Sequence, residues 1–78
     1  MLMNEENLRK LIEGQQRSTD MWISEWEKHK DAPGVRNAAM AIGKLSGLIN
    51  VLMCMNDGTI PEDLLAIQTH YTQVWQNL

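Results

Sequence analysis

The sequence predicts an all-α protein, three helices in an up-down-up antiparallel arrangement, and three observations lead there. Apolar residues recur at spacings of three and four in three segments, about 4–30, 35–56 and 60–77. Clusters of breaker residues, Asp31-Ala32-Pro33-Gly34 and Asn56-Asp57-Gly58, separate those segments. No stretch alternates apolar and polar residues as a half-buried strand does. Short connections make neighbouring helices antiparallel, and 78 residues amount to a single domain.

The first helix opens on Asn4, a good N-cap, with Glu5 and Glu6 where the helix dipole favours negative charge. Lys28, His29 and Lys30 gather at its far end, where cations are favoured. Glu5–Arg9, Glu6–Lys10 and Glu13–Arg17 are spaced as i,i+4 pairs with acid before base. Its apolar face comprises Leu8, Leu11, Ile12, Trp22, Ile23 and Trp26. Pro33 disfavours helical geometry at Ala32, so a break is expected before Val35.

The second helix carries a heptad-like seam of Val35, Ala38, Ile42, Leu45, Ile49 and Leu52. Beside it runs a sector of small residues, Ala39, Gly43, Ser46 and Asn50, and the remaining girth mixes Arg36, Asn37 and Lys44 with Met40, Val51, Cys54 and Met55. Gly58 can take the left-handed conformation that closes this helix. Thr59-Ile60-Pro61-Glu62 has the capping-box pattern for the third. Ile60, Leu64, Ile67, Tyr71, Val74, Trp75 and Leu78 then fall on one face.

Size and composition set the expected behaviour. A chain this short buries only about 60–65% of the surface its unfolded form exposes. Cys54 is the single cysteine, so no intrachain disulfide can help, and oligomerisation is the remedy left. Only Arg36 and Lys44 are charged between Val35 and Met55, and a helix apolar over most of its girth must be buried in a larger core or in lipid. Lys44, Asn50, Gly43, Ser46 and Gly47 near its middle argue against a membrane span. A second chain, in a homodimer or a hetero-complex, covers Met40, Val51 and Met55 more economically; the alternative is a monomeric bundle with that sector exposed. The acid-bearing start, Met1-Leu2-Met3-Asn4-Glu5-Glu6, lacks a secretory pattern, and with one cysteine it predicts a reducing, cytoplasmic setting.

Several side chains stand out as candidate sites. Gln15 and Thr19 interrupt the apolar face of the first helix, and burying them unpaired costs about 1–3 kcal/mol each. They suit a polar layer that fixes helix register, a wet groove, or, with less support, a small-molecule site beside the tryptophans. Trp22, Trp26, Tyr71 and Trp75 are all the aromatics of the chain. Such residues anchor interfaces, although core packing is the ordinary role for most of them. With Met40, Gly43, Val51 and Met55, these six make up the predicted partner or oligomer surface. Cys54 reads as an inert buried thiol, and His70 as a boundary residue of the third helix.

Little else carries chemistry. Glu25 and His29 could share an ion, but two ligands are half a site. Gly43-Lys44-Leu45-Ser46-Gly47 lacks the second glycine, the hydroxyl and the strand of a phosphate loop. No metal, cofactor or small-molecule ligand is expected, and no catalytic residue is assigned. The predicted function is a non-catalytic protein-interaction module, an adaptor, assembly factor or inhibitor of a kind that fits phages or mobile elements. The alternative is a dimeric nucleic-acid regulator using Arg9, Lys10, Arg17, Lys28, Lys30 and Arg36. A net charge of −3, with seven acids through Asp31, weighs against it. An enzyme with an intersubunit site at Gln15 and Thr19 has the least support.

Overall fold

In the computed structural model the chain forms three helices, α1 (Glu5–His29), α2 (Ala32–Met55) and α3 (Glu62–Gln76), and no strand occurs among the described residues. The structure describes residues 4–78; Met1, Leu2 and Met3, which open the segment read above as lacking a leader pattern, lie outside the described residues.

Local chemistry accounts for each helix end. The Asn4 side chain accepts the Asn7 N–H at 2.8 Å and starts α1. Lys30 ends it in the left-handed region (φ 52°), with its N–H donating to the Trp26 carbonyl at 2.7 Å. Glu5–Arg9 and Glu6–Lys10 form as predicted, both at 3.8 Å on the exposed surface, where each contributes a few tenths of a kcal/mol.

The start of α2 departs from expectation. The helix begins at Ala32, not near Val35, because the Asp31 carboxylate accepts the Gly34 N–H at 2.8 Å and holds the first turn closed. Pro33 sits inside that turn, where its missing N–H costs nothing, so it initiates the helix instead of breaking the chain. Gly34 lies against α1: a Cβ there would stand 2.7 Å from Asp31 Oδ1 and 3.2 Å from Trp26 Cα. The turn is therefore tight as well as short.

At the other end, Asp57 (φ 55°) and Gly58 (φ 80°) are both left-handed, and the Gly58 N–H donates to the Met53 carbonyl at 2.9 Å. The predicted capping box at Thr59 does not form. Ile60 precedes a proline, which pushes it toward extended geometry, so α3 starts after Pro61 with no side-chain cap.

The core gathers Leu8 and Ile12 of α1, Ile42, Leu45, Ile49 and Leu52 of α2, and Leu64 and Tyr71 of α3. Ala38 and Ala41 are also buried, and their small side chains let α1 approach α2 closely. Residues meet across α1 and α2 in the pairs Trp26/Gly34 and Thr19/Ala41, and Glu5 and Met55 line one recess between the helices. The α3 backbone packs on α2 and stays more than 8 Å from that of α1, Cα to Cα. Two side-chain links span the gap: Arg9 donates to Asp63 at 2.8 Å, and the Tyr71 hydroxyl donates to Asp20. Leu11, expected on the buried face, is 47% exposed. Leu8, Ile12 and Thr19 define the buried line of α1, and Leu11 lies about 100° round the helix from Ile12.

Candidate functional site

The predicted surface residues divide into two groups. Gln15, Thr19 and Tyr71 find partners within the chain, and Trp22 and Trp26 are partly buried. Met40, Gly43, Val51, Met55 and Trp75 are exposed.

The polar layer is closed by three groups. The Thr19 hydroxyl, fully buried, has one proton and lies 2.6 Å from the Gln15 carbonyl, one turn back. That carbonyl takes the proton in the back-bond common for helical threonine. Gln15 Nε2 then reaches the Ala41 carbonyl of α2 at 3.3 Å and the Thr19 oxygen at 3.3 Å. The layer thus ties one position of α1 to one position of α2, which is the geometry a register-setting layer requires.

Tyr71 is a second polar tie. Burial, together with the hydrogen bond to the Asp20 carboxylate, pushes its phenol up to about 12. His70 beside it is exposed and meets the Tyr71 ring edge-on at 4.8 Å. Trp26 packs near Gly34, and the Lys30 ammonium stands 3.7 Å above its ring, a cation–π contact. Its indole Nε1 is buried without a hydrogen-bond partner among the described residues.

The exposed group is organised by α2. That helix is long and apolar enough to cross a membrane by length and composition, yet only 33% of its most apolar stretch is buried. Met40 is 55% exposed, and Val51 and Met55 are also half-exposed. Gly43 and Gly47 open onto free space, since a Cβ at either would meet nothing within 4 Å. Cys54, expected to be buried, is exposed, because it lies on this same outward side.

Each flank of the α2 ridge has a recess. Towards α3, Trp75 stands half-exposed over Ala39, Gly43 and Ser46, beside cavities of about 240 and 260 Å3. Towards α1 lies a notch of about 190 Å3 among Gln15, Ser18, Trp22, Asn37, Met40 and Lys44. No family model, curated protein or solved structure matches this chain. Its surface must be read from its own residues.

Sequence reasoning found the exposed α2 side and singled out Gln15, Trp22 and Met40 of the notch, but did not join them to Ser18, Asn37 and Lys44. Ser18 and Asn37 carry no signal alone; they matter because the register set by Thr19 and Ala41 brings them beside Lys44. The Tyr71–Asp20 link was missed for a similar reason, since Asp20 falls outside the apolar stripe of α1 and meets only a residue 51 positions away. Among the described residues, no three His, Cys, Asp or Glu side chains come together as a metal site; His29 and Glu25 meet as a surface pair at 3.5 Å.

Proposed function

We propose that this chain is a non-catalytic, cytoplasmic protein-interaction module, built up-down-up from antiparallel helices, whose exposed α2 surface is covered by protein. The pairs Trp26/Gly34 and Thr19/Ala41, and the recess that Glu5 and Met55 share, support the antiparallel order, because one number falls as the other rises. The observation that carries the interaction reading is the exposure of α2. An apolar helix that leaves Met40, Val51 and Met55 half in water has not completed its burial within one chain.

The α3 flank suits a second copy. Trp75 supplies a large anchor, and Ala39, Gly43 and Ser46 supply a floor on which another helix can approach closely. Cations on α1 are largely engaged, Arg9 with Glu5 and Asp63, Lys10 with Glu6, and Lys28 with Glu25, which weighs against a phosphate-backbone partner. The test is the solution mass of the chain against that of a Trp75→Ala variant. A dimer that dissociates on substitution supports the reading. A monomer with unchanged spectra in both removes the second copy.

One observation favours a second reading, in which α2 is covered by lipid: its length and composition suffice for a bilayer. Lys44, Asn37 and Asn50 along it weigh the other way. Flotation with anionic and zwitterionic vesicles separates the two, since a protein-covered α2 stays at the bottom of the gradient.

A further inference from the structure

We propose that the notch between α1 and α2 receives the carboxylate of a glutamate or aspartate carried on an apolar helical segment of a partner protein. This assignment rests on the interaction reading above and names the chemistry of the foreign partner. Three features of the notch lead to it.

The first is charge. Lys44 sits midway along α2, one of two charged residues on that helix, and no carboxylate lies within 4.0 Å of it among the described residues. Arg9, Lys10 and Lys28 all have carboxylates on their own chain. The notch lining contains no acid either, so its one full charge is positive in a chain of net −3.

The second is the donor set. Ser18, with its hydroxyl, and Asn37, with its amide, line the notch together with Lys44, while both N–H groups of Gln15 are taken by Ala41 and Thr19. Charge-assisted hydrogen bonds to one carboxylate use the Ser18, Asn37 and Lys44 groups. A phosphoryl group carries nearly two charges and is ordinarily met by a cluster of arginines, whereas a single lysine matches a single negative charge.

The third is the surroundings. Trp22 and Met40 add an apolar edge to a mainly polar lining, and a volume of about 190 Å3 holds a carboxylate on a short aliphatic stem, not a nucleotide. Beyond it Leu11, Val51 and Met55 remain half-exposed. A free carboxylate leaves them wet, while an apolar helix bearing one acid covers them as it delivers its charge. A second copy docked through its own α2 brings no acid to this flank.

The probe is a synthetic amphipathic peptide of about 15 residues, long enough for a stable turn pattern on binding. Its apolar stripe is leucine and its only charges are glutamates; a second peptide has glutamine in their place. Both are titrated into the 15N-labelled chain, with the Trp22 indole and the amides of Ser18, Asn37 and Lys44 followed by NMR. Saturable shifts at those groups are expected, with the glutamate peptide bound at least about tenfold tighter than its counterpart, the yield of one charge-assisted hydrogen bond. Lys44→Gln should abolish that preference, Lys44→Arg should keep most of it, and Lys10→Gln should leave it intact. Equal response to both peptides, or a preference that survives Lys44→Gln, overturns the proposal. So does saturable binding of benzoate at the same groups without a glutamate preference among peptides. Light scattering on the same samples keeps the two readings apart: loss of peptide binding with an intact dimer removes only the notch.

Discussion

The Ala41 carbonyl of α2 lies 3.3 Å from both Gln15 Nε2 and Thr19 Oγ1 of α1, so one backbone oxygen fixes how two helices slide against each other. Apolar side chains along α1 and α2 would tolerate a shift of one turn, because Leu and Ile recur at helical spacing on both. The polar layer would not, since a shift takes the Gln15 amide away from the Ala41 carbonyl.

Thr19→Val tests that layer. It keeps the shape and removes the hydroxyl, so Gln15 Nε2 loses one of its two acceptors. A loss of about 1–2 kcal/mol in urea unfolding is expected. An unchanged midpoint would mean that the layer contributes no stability.

Tyr71 makes stability depend on alkaline pH. Its folded value of about 12 lies above the ordinary 10.0, so the protonated phenol is favoured by folding. The contribution is complete below pH 10 and is lost as pH rises towards 12. Tyr71→Phe should cost about 1 kcal/mol at neutral pH and flatten the decline between pH 10 and 12. On the acid side, the Arg9 guanidinium holds the Asp63 carboxyl below its usual 3.8, so that link weakens as pH falls through the carboxylate range.

Gly34 sets the start of α2 close against α1 at the turn. Alanine ordinarily gains about 1 kcal/mol over glycine inside a helix. Here its Cβ would displace the Asp31 cap and press on the Trp26 backbone, at 2.7 and 3.2 Å. Loss of a cap costs about 1 kcal/mol and overpacking about 1–3 more, so Gly34→Ala should lower the melting temperature. A rise would show that the turn relaxes freely.

Gly43→Ala should behave in the opposite way. Its Cβ would enter open space, so the isolated chain should gain about 0.5–1 kcal/mol from helix propensity. If a second copy packs over this position, the same methyl group should weaken the dimer several-fold, read by sedimentation equilibrium. Gain in stability with unaltered association would move the interface elsewhere.

Most of the fold was legible because its signals are local. The N-cap at Asn4, the left-handed Gly58 and the seam from Ala38 to Leu52 each depend on neighbours within a turn or two. Pro33 was misread because the same residue ends one helix and begins the next, and only the Asp31 cap decides which. Leu11 was misread because a stripe drawn through α1 alone ignores where α3 stands. The notch was legible only in part, through Gln15, Trp22 and Met40; Ser18, Asn37 and Lys44 join them only once two helices are in register. Exposure of α2 was foreseen from its charge count, since a helix this apolar has more surface than two neighbours can cover.

The central claim is that the outer side of α2 is an interface, and light scattering behind a sizing column over a wide concentration range tests it most directly. The predicted result is a mass near twice the 8.9 kDa chain that falls towards the monomer with Trp75→Ala or Gly43→Ala, while helicity is retained. A constant 8.9 kDa at every concentration would contradict self-association, and if the glutamate peptide also raised no complex, the interaction reading of α2 would fall with it.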